Sequence, residues 1–252
     1  MKSVLRMFFL FLPVFLAFPL DRTENRTSFP GFPRLTLWAW QRPERLEFID
    51  PQHVAVAYLD QTLYVGKDVK AEPRMQPLRV PPGTRVIAVV RIEMPAGPSS
   101  GPEEIKLKIK IVDALLSSAH QLGVSGLQVD FDAVQSQRAL YRDVLVQLRR
   151  EMPRQMPLSI TALASWCAYD DWIAGLPVNE AVPMLFRMGR DRGLFDRRGA
   201  SAVMREPLCS GSFGLSTDEP WPLELKGKRL YIFRTKSWTN EAFIDLLTRV
   251  KP

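Results

Sequence analysis

The sequence predicts an α/β fold, a (β/α)8 barrel that is somewhat irregular in its first units. Eight short β-type runs alternate with helical or polar stretches, which implies parallel strands joined by crossovers. The alternation fills roughly 220 residues, within the range of a closed barrel. An open doubly wound sheet is the rival, but no glycine-rich dinucleotide turn or phosphate loop follows any run. The composition of the 252 residues, 46% apolar and 24% charged, excludes a wholly disordered or collagen-like chain. Prolines outnumber glycines, 21 to 14, so short connections with stiff corners are expected.

The elements follow in order. Lys2 and Arg6 precede an apolar run from Met7 to about Phe18, and then Pro19 and a polar stretch. A basic start followed by a short apolar run is the form of a secretory signal, and the run is short for a bilayer span. Residues 1–20 are therefore a signal peptide or an uncleaved amino-terminal anchor, residues 21–33 a linker, and residues 34–252 a single barrel domain. Export to the periplasm or beyond is expected, with membrane contact only through an uncleaved amino terminus. The β-type runs are Leu35–Gln41, Val54–Leu59, Arg85–Glu93, Val124–Asp132, Leu158–Trp166, Val182–Met188, Ser212–Ser216 and Leu230–Thr235. Glu103–Leu122 and Ser136–Met152 carry apolar residues at helical spacing, and Pro153 stops the second. A last helix, Asn240–Val250, begins after Thr239, a suitable N-cap.

Setting aside Lys2 and Arg6, 32 basic residues face 27 acidic ones. The excess gathers at Arg187, Arg190, Arg192, Arg197, Arg198 and Arg205, read either as a solvated face or as a surface for an anionic partner. Nucleic acid is not expected, because export removes the chain from it and no interleaved aromatics accompany the arginines. Two cysteines, Cys167 and Cys209, cannot make a disulfide scaffold, although they could pair in an oxidising compartment. His53 and His120 show no metal-ligand spacing, so neither a metal nor another cofactor is expected. The chain has no Gly-x-Ser-x-Gly elbow, and Cys167 has no histidine at a strand end to activate it.

The chemistry points to the fourth run. Strand alternation puts Gln128, Asp130 and Asp132 on one face and Leu127, Val129 and Phe131 on the other. The polar set then faces into the barrel at the carboxyl end of the strand, where such barrels place catalytic groups. Two neighbouring carboxylates repel, which raises the pKa of one and leaves it able to donate a proton. The structural alternative is a polar strand end capped by an arginine. Arg91 and Glu93 share the inward parity of Ile87 and Val89, so they pair with each other or with the aspartates. Glu93 or Asp60 could serve as a second carboxylate. Trp40, Trp166 and Arg187 also lie near predicted strand ends, and the tryptophans offer flat apolar faces for sugar rings. Met184 and Met188 read as barrel filling.

The stretch Ser125, Gln128, Asp130, Asp132 resembles the fourth-strand signature of the family 18 glycoside hydrolases, Asp-x-x-Asp-x-Asp-x-Glu. Only Asp130 matches by identity, and Asp132 stands where the proton-donating Glu is expected. The resemblance implies an orienting role for Asp130 and a general acid/base role for Asp132. An aspartate is one methylene shorter than a glutamate, and a misplacement near 1 Å can cost roughly a hundredfold in rate. More of the chain resembles an uncharacterised bacterial family of exported, glycosidase-like barrels known only as a domain of unknown function. The shared features are Leu37–Trp40, Arg91–Glu93, Gln128–Asp132, Ser159–Cys167 and Val182–Gly189. Together these imply a glycan or oligosaccharide as partner, with Asp132 and Asp130 at the chemistry and Gln128, Glu93, Arg91, Trp40, Trp166 and Arg187 around the substrate. The alternative is a carbohydrate-binding pseudoenzyme with the same cleft. A third reading is an envelope protein that meets a partner through its arginine-rich stretch.

Overall fold

A computed structural model of the chain describes residues 29–96, 102–189, 192–222 and 225–250. The predicted signal, most of the linker and Arg190 lie outside the described residues. The strands are β1 (Leu35–Ala39), β2 (Glu44–Arg45), β3 (Val54–Val65), β4 (Val69–Pro73), β5 (Leu78–Arg79), β6 (Val86–Glu93), β7 (Val124–Asp130), β8 (Leu158–Leu163), β9 (Glu180–Met184), β10 (Ser212–Ser216) and β11 (Arg229–Phe233). The helices are α1 (Pro102–Ala119), α2 (Arg138–Glu151), α3 (Ala164–Ala168), α4 (Arg192–Arg198), α5 (Ala200–Val203) and α6 (Asn240–Val250).

Eight strands pair in parallel around the circle β1-β3-β6-β7-β8-β9-β10-β11, and β1 closes it by pairing with both β3 and β11. The expected closed barrel is therefore present. Its irregular units are also where the prolines and short spacings put them: β1 reaches β3, and β3 reaches β6, without a helix. In their place β4 folds back antiparallel on the upper half of β3, and β2 pairs with β5 in a two-stranded sheet.

Outward-facing strand residues divide between two apolar layers. Leu127, Val129 and Ile160 meet Leu115 of α1 and Val144 and Leu148 of α2, while Leu37, Val56 and Phe213 pack with Phe243 and Leu246 of α6. Local chemistry fits the helix ends. Glu103 and Glu104 sit in the first turn of α1. The Ala242 N–H donates to Thr239 Oγ1 at 3.2 Å, the cap expected for α6.

Inside the barrel, Trp38, Ala57, Ile87, Val89, Val182 and Tyr231 form a smaller apolar cluster, with Phe29 beneath it. Phe29 and Phe32 lie about 3.3 Å from where a Cβ on Gly126 would stand, so a larger residue there would require the aromatic rings to shift by a few tenths of an ångström. Two polar groups cross this interior. Trp38 Nε1 donates to Gln128 Oε1 at 3.0 Å, and Gln128 Nε2 donates to Ser159 Oγ at 3.0 Å. Lower down, Tyr231 OH donates to Glu180 Oε1 at 2.5 Å, and Arg229 Nε lies 3.5 Å from Glu180 Oε2.

Strand ends differ from the expectation at six of the eight runs. β1 stops at Ala39, β9 at Met184 and β11 at Phe233. β8 stops at Leu163, and Ala164–Ala168 is a helical turn, which moves Trp166 and Cys167 off the strand. β7 stops at Asp130, so Asp132 lies beyond the pleat. β3 runs on through Asp60 to Val65, with a register shift between Leu59 and Gln61. Cys167 and Cys209 are disulfide-bonded, which ties α3 to the turn Pro207–Cys209 across 42 residues.

Two outcomes are expected. Reduction of the disulfide should lower stability by about 3–4 kcal/mol, a fall in Tm on the order of 10 °C in a thermal melt. Two reactive thiols in the unreduced, denatured protein would contradict the pairing. Gln128→Met should cost about 2 kcal/mol, or roughly 4–8 °C in Tm, because it leaves the Trp38 N–H and the Ser159 hydroxyl buried without their partner.

Candidate functional site

The carboxyl ends of β3, β6 and β7 enclose a cleft of about 660 Å3. The β3–β4 hairpin supplies one wall through Tyr64 and Asp68, β6 supplies Arg91 and Glu93, and β7 with its following residues supplies Asp130 and Asp132. The parallel register sets Arg91 directly beside Asp130. Arg91 Nε donates to Glu93 Oε1 at 2.8 Å, and its Nη1 lies 3.9 Å from Asp130 Oδ2. Its guanidinium also stands 5.6 Å from the centre of the Trp40 ring, within cation–π range. The arginine is thus shared among two carboxylates and an indole.

Asp130 is the most confined carboxyl of the cleft. Its side chain is 16% exposed, against 45% for Glu93, whereas Asp132 is open to solvent. Thr161, inward-facing on β8, donates from Oγ1 to Asp130 Oδ1 at 2.6 Å. Burial raises the Asp130 pKa above the ordinary aspartate value. The Thr161 hydrogen bond pulls it back, nearby Asp132 and Glu93 push it up further, and Arg91 opposes them. Of the two aspartates, the one that tends to keep its proton is therefore the strand-end residue, Asp130.

The remaining expected site residues separate by position. Trp40 is half-buried at the end of β1, beside Arg91. Its backbone is held by Arg74, whose guanidinium hydrogen-bonds the carbonyls of Ala39, Trp40 and Arg42. Trp40 meets Phe233 edge-on at 6.1 Å, and Phe233 stacks on Phe186 at 5.5 Å. This aromatic row starts on the β1 side of the mouth. Phe233 shares the inward parity of Tyr231, which is the signal that could have identified it; the same parity argument from Ser159 identifies Thr161.

Four expectations change. Gln128 is fully buried one pleat below Asp130 and spends both ends of its amide on Trp38 and Ser159, so it does not line the cleft. Trp166 is 3% exposed and packs edge-on against Trp172 at 4.8 Å in the outer core, because its helical turn carries it away from the mouth. Asp60 shares the outward parity of Tyr58, opposite to the inward Ala57; Ser118 Oγ donates to it at 2.6 Å and Gln121 Nε2 at 2.9 Å, against α1. Met188 packs in the outer layer, while Met184 fills the interior. Arg187 is exposed, with a φ of 53°, and its backbone N–H donates to Glu219 Oε1 at 3.0 Å. Arg192, from the arginine-rich stretch, pairs with Asp196 and Glu219. Among the described residues, no three His, Cys, Asp or Glu side chains are grouped so as to hold a metal ion.

Asp130 links the site to stability. Below the ordinary aspartate pKa, about 3.9, folded and unfolded chains both hold its proton. As pH rises through the raised folded value, the unfolded chain releases the proton more easily and stability is lost. Asp130→Asn lacks this loss, so it should be more stable than the parent at neutral pH, with the difference shrinking near pH 4. Denaturant titration of both forms at the two pH values checks this. An offset independent of pH would remove the assignment.

Residues 82–231 match a family model described as Domain of unknown function (DUF3142). No curated protein matches the chain. Among solved structures, it is similar to the spore cortex-lytic enzyme SleL of Bacillus cereus, with 17% identity and a TM-score of 0.46 over 72% of this chain and 50% of that one. It is also similar to the chitinase domain of the spore coat protein CotE from Clostridium difficile, with 12% identity and a TM-score of 0.39 over 65% and 52%. The chain spans about half the length of these two structures. The family match covers more than half of the chain, from the approach to β6 as far as β11, and the chain belongs to the DUF3142 family.

Proposed function

We propose that this chain is an exported barrel that acts on a glycan at its carboxyl-terminal mouth, with Asp130 and Asp132 handling the proton. One observation carries the reading: a confined aspartate with a raised pKa and an open aspartate line one cleft at the end of a barrel strand. A pair of carboxyls in unlike environments suits acid/base work on a glycosidic bond. The confined Asp130, whose protonated form is favoured, supplies the proton. Asp132, at the lip, passes it to the leaving oxygen as the glycosidic C–O bond breaks; water then supplies the new C–O bond and returns a proton to the pair. Thr161 and Arg91 position Asp130, and Trp40 offers a ring face to a sugar. Glu93 holds Arg91, and Arg187 stands beyond the end of β9 as a contact for a longer ligand.

Export rests on the basic-apolar amino terminus and on the Cys167–Cys209 disulfide, a bond that persists in oxidising compartments. No helix among the described residues is long and apolar enough to cross a membrane.

A second reading is favoured by the same cleft. The position that would carry a glutamate carries the shorter Asp132, and Arg91 is already tied to Glu93 and Asp130. A barrel built in this way could bind a glycan without cleaving it.

Product release from a panel of envelope and N-acetylated glycans separates the two. For the enzyme, Asp132→Asn should lower kcat by at least roughly a hundredfold while binding changes little. Asp130→Asn should also slow turnover and alter the acidic side of the pH profile. Binding of one glycan by the parent and by both variants, with no cleavage by any of them, would replace the enzyme with the binding protein.

A further inference from the structure

The end of the barrel opposite the cleft has its own chemistry. Five residues back from each of the eight barrel strand starts, the described chain contains Arg34, Arg85, Arg154, Lys226 and Lys228, but only one acid, Asp50. Asp50 is already hydrogen-bonded to His53 at 2.7 Å. Leu122, which enters β7 on the same rim, is fully exposed.

A second cleft of about 660 Å3 opens at this rim, where the link from β10 to β11 carries no helix among its described residues. Its floor includes Leu35 and Leu230, at the starts of β1 and β11. Four cations line it, Arg34, Lys226, Lys228 and Arg249, and no carboxylate is among its described lining residues. None of the four forms an ion pair with a described residue. Three of them hydrogen-bond backbone carbonyls: Arg34 donates to Lys228 O at 3.3 Å, Lys228 to Ser210 O at 2.7 Å, and Arg249, which also lies 4.0 Å from the centre of the Trp221 ring, to Thr217 O at 2.9 Å. Carbonyls orient these groups, and no carboxylate among the described residues compensates their charge.

The chain also enters the barrel at this end. Phe29 and Phe32 seat under the interior cluster, with the Arg229 guanidinium 4.8 Å from the Phe29 ring and that of Arg85 5.8 Å from the Phe32 ring. Ten residues separate Phe29 from the apolar run that ends near Phe18. Fully extended, such a length reaches at most roughly 35 Å. Whenever that run lies in a bilayer, the basic rim stays close to the headgroups.

We propose that the amino-terminal rim of the barrel docks on an anionic bilayer, with the groove beside α6 taking the phosphate of an anionic phospholipid and the exposed Leu122 meeting the interface. Juxtamembrane basic residues contribute to such binding individually, and the contribution is screened by salt. This placement turns the carboxyl-terminal cleft away from the membrane.

The test uses the full chain and sedimentation with phosphatidylcholine vesicles, with or without phosphatidylglycerol. The parent should bind more tightly when phosphatidylglycerol is present, and added salt should weaken that gain. The triple variant Arg34→Gln, Lys226→Gln, Lys228→Gln should lose at least roughly tenfold of the gain. It keeps the apolar run, so insertion of that run cancels in the comparison. A charge-conserving control, Arg34→Lys with Lys226→Arg and Lys228→Arg, should bind like the parent and shows that charge is what matters. An equal phosphatidylglycerol preference in the parent and the folded triple variant overturns the proposal. So does full release of the parent by free glycerophosphate, which would mark a site for soluble phosphate.

Discussion

Closing eight parallel strands into a ring takes water away from the inward-facing positions below its mouth, and the interior of this protein is organised by that loss. A polar group placed there has to find a protein partner, because leaving one unmade costs about 1–3 kcal/mol. The barrel meets the requirement only in part, leaving the Thr36 and Ser212 hydroxyls buried without a partner among the described residues. Tyr231 hydrogen-bonds Glu180 near the amino-terminal end, with the Arg229 charge 3.5 Å from the same carboxylate, and Trp38, Gln128 and Ser159 satisfy one another across the middle. At the carboxyl end the partners thin out. Asp130 has Thr161 at hydrogen-bond distance and Arg91 at the limit of ion pairing, in a setting dry enough to disfavour its charge. The raised pKa of Asp130 is therefore a consequence of closure, and it occurs on the level where the ring opens to the cleft.

The departures from a regular barrel build the surfaces. Without a helix between β3 and β6, the chain uses the β3–β4 hairpin instead, which becomes a wall of the carboxyl-terminal cleft and, through Arg74, a brace for Trp40. Without one in the described link from β10 to β11, a basic groove is left open beside α6 at the other end. The two long crossovers, α1 and α2, cover the strands that bear Arg91, Glu93 and Asp130. The rigid half of the barrel thus carries the carboxylates, while the irregular connections supply their surroundings. The disulfide adds a further restraint by joining the segment after β8 to the segment before β10.

Much of this was legible beforehand because parity is a local property. Alternation along Val124–Asp130 placed Gln128 and Asp130 inward, and along Arg85–Glu93 it placed Arg91 and Glu93 beside them. Helical spacing located α1, α2 and α6, with α6 bounded as expected. Parity misleads wherever a strand bends, slips or ends. One helical turn moved Trp166 into the outer core, while Asp60 faces α1 with the parity of Tyr58. Asp132 reached the cleft by leaving the strand, where alternation no longer describes it.

The sequence by itself determined the order of the eight barrel strands and of α1, α2 and α6, the closed parallel architecture and the strand that carries the aspartate pair. These follow from periodic burial and from crossovers of sufficient length, which are encoded along the chain. Only the tertiary structure decided which aspartate resists ionisation, which inward amide is absorbed by the core, and which arginine stands between carboxylates. Those outcomes depend on distances across the barrel between residues far apart in sequence, such as Trp38 and Gln128 or Thr161 and Asp130, and on how much water the closed ring excludes from each.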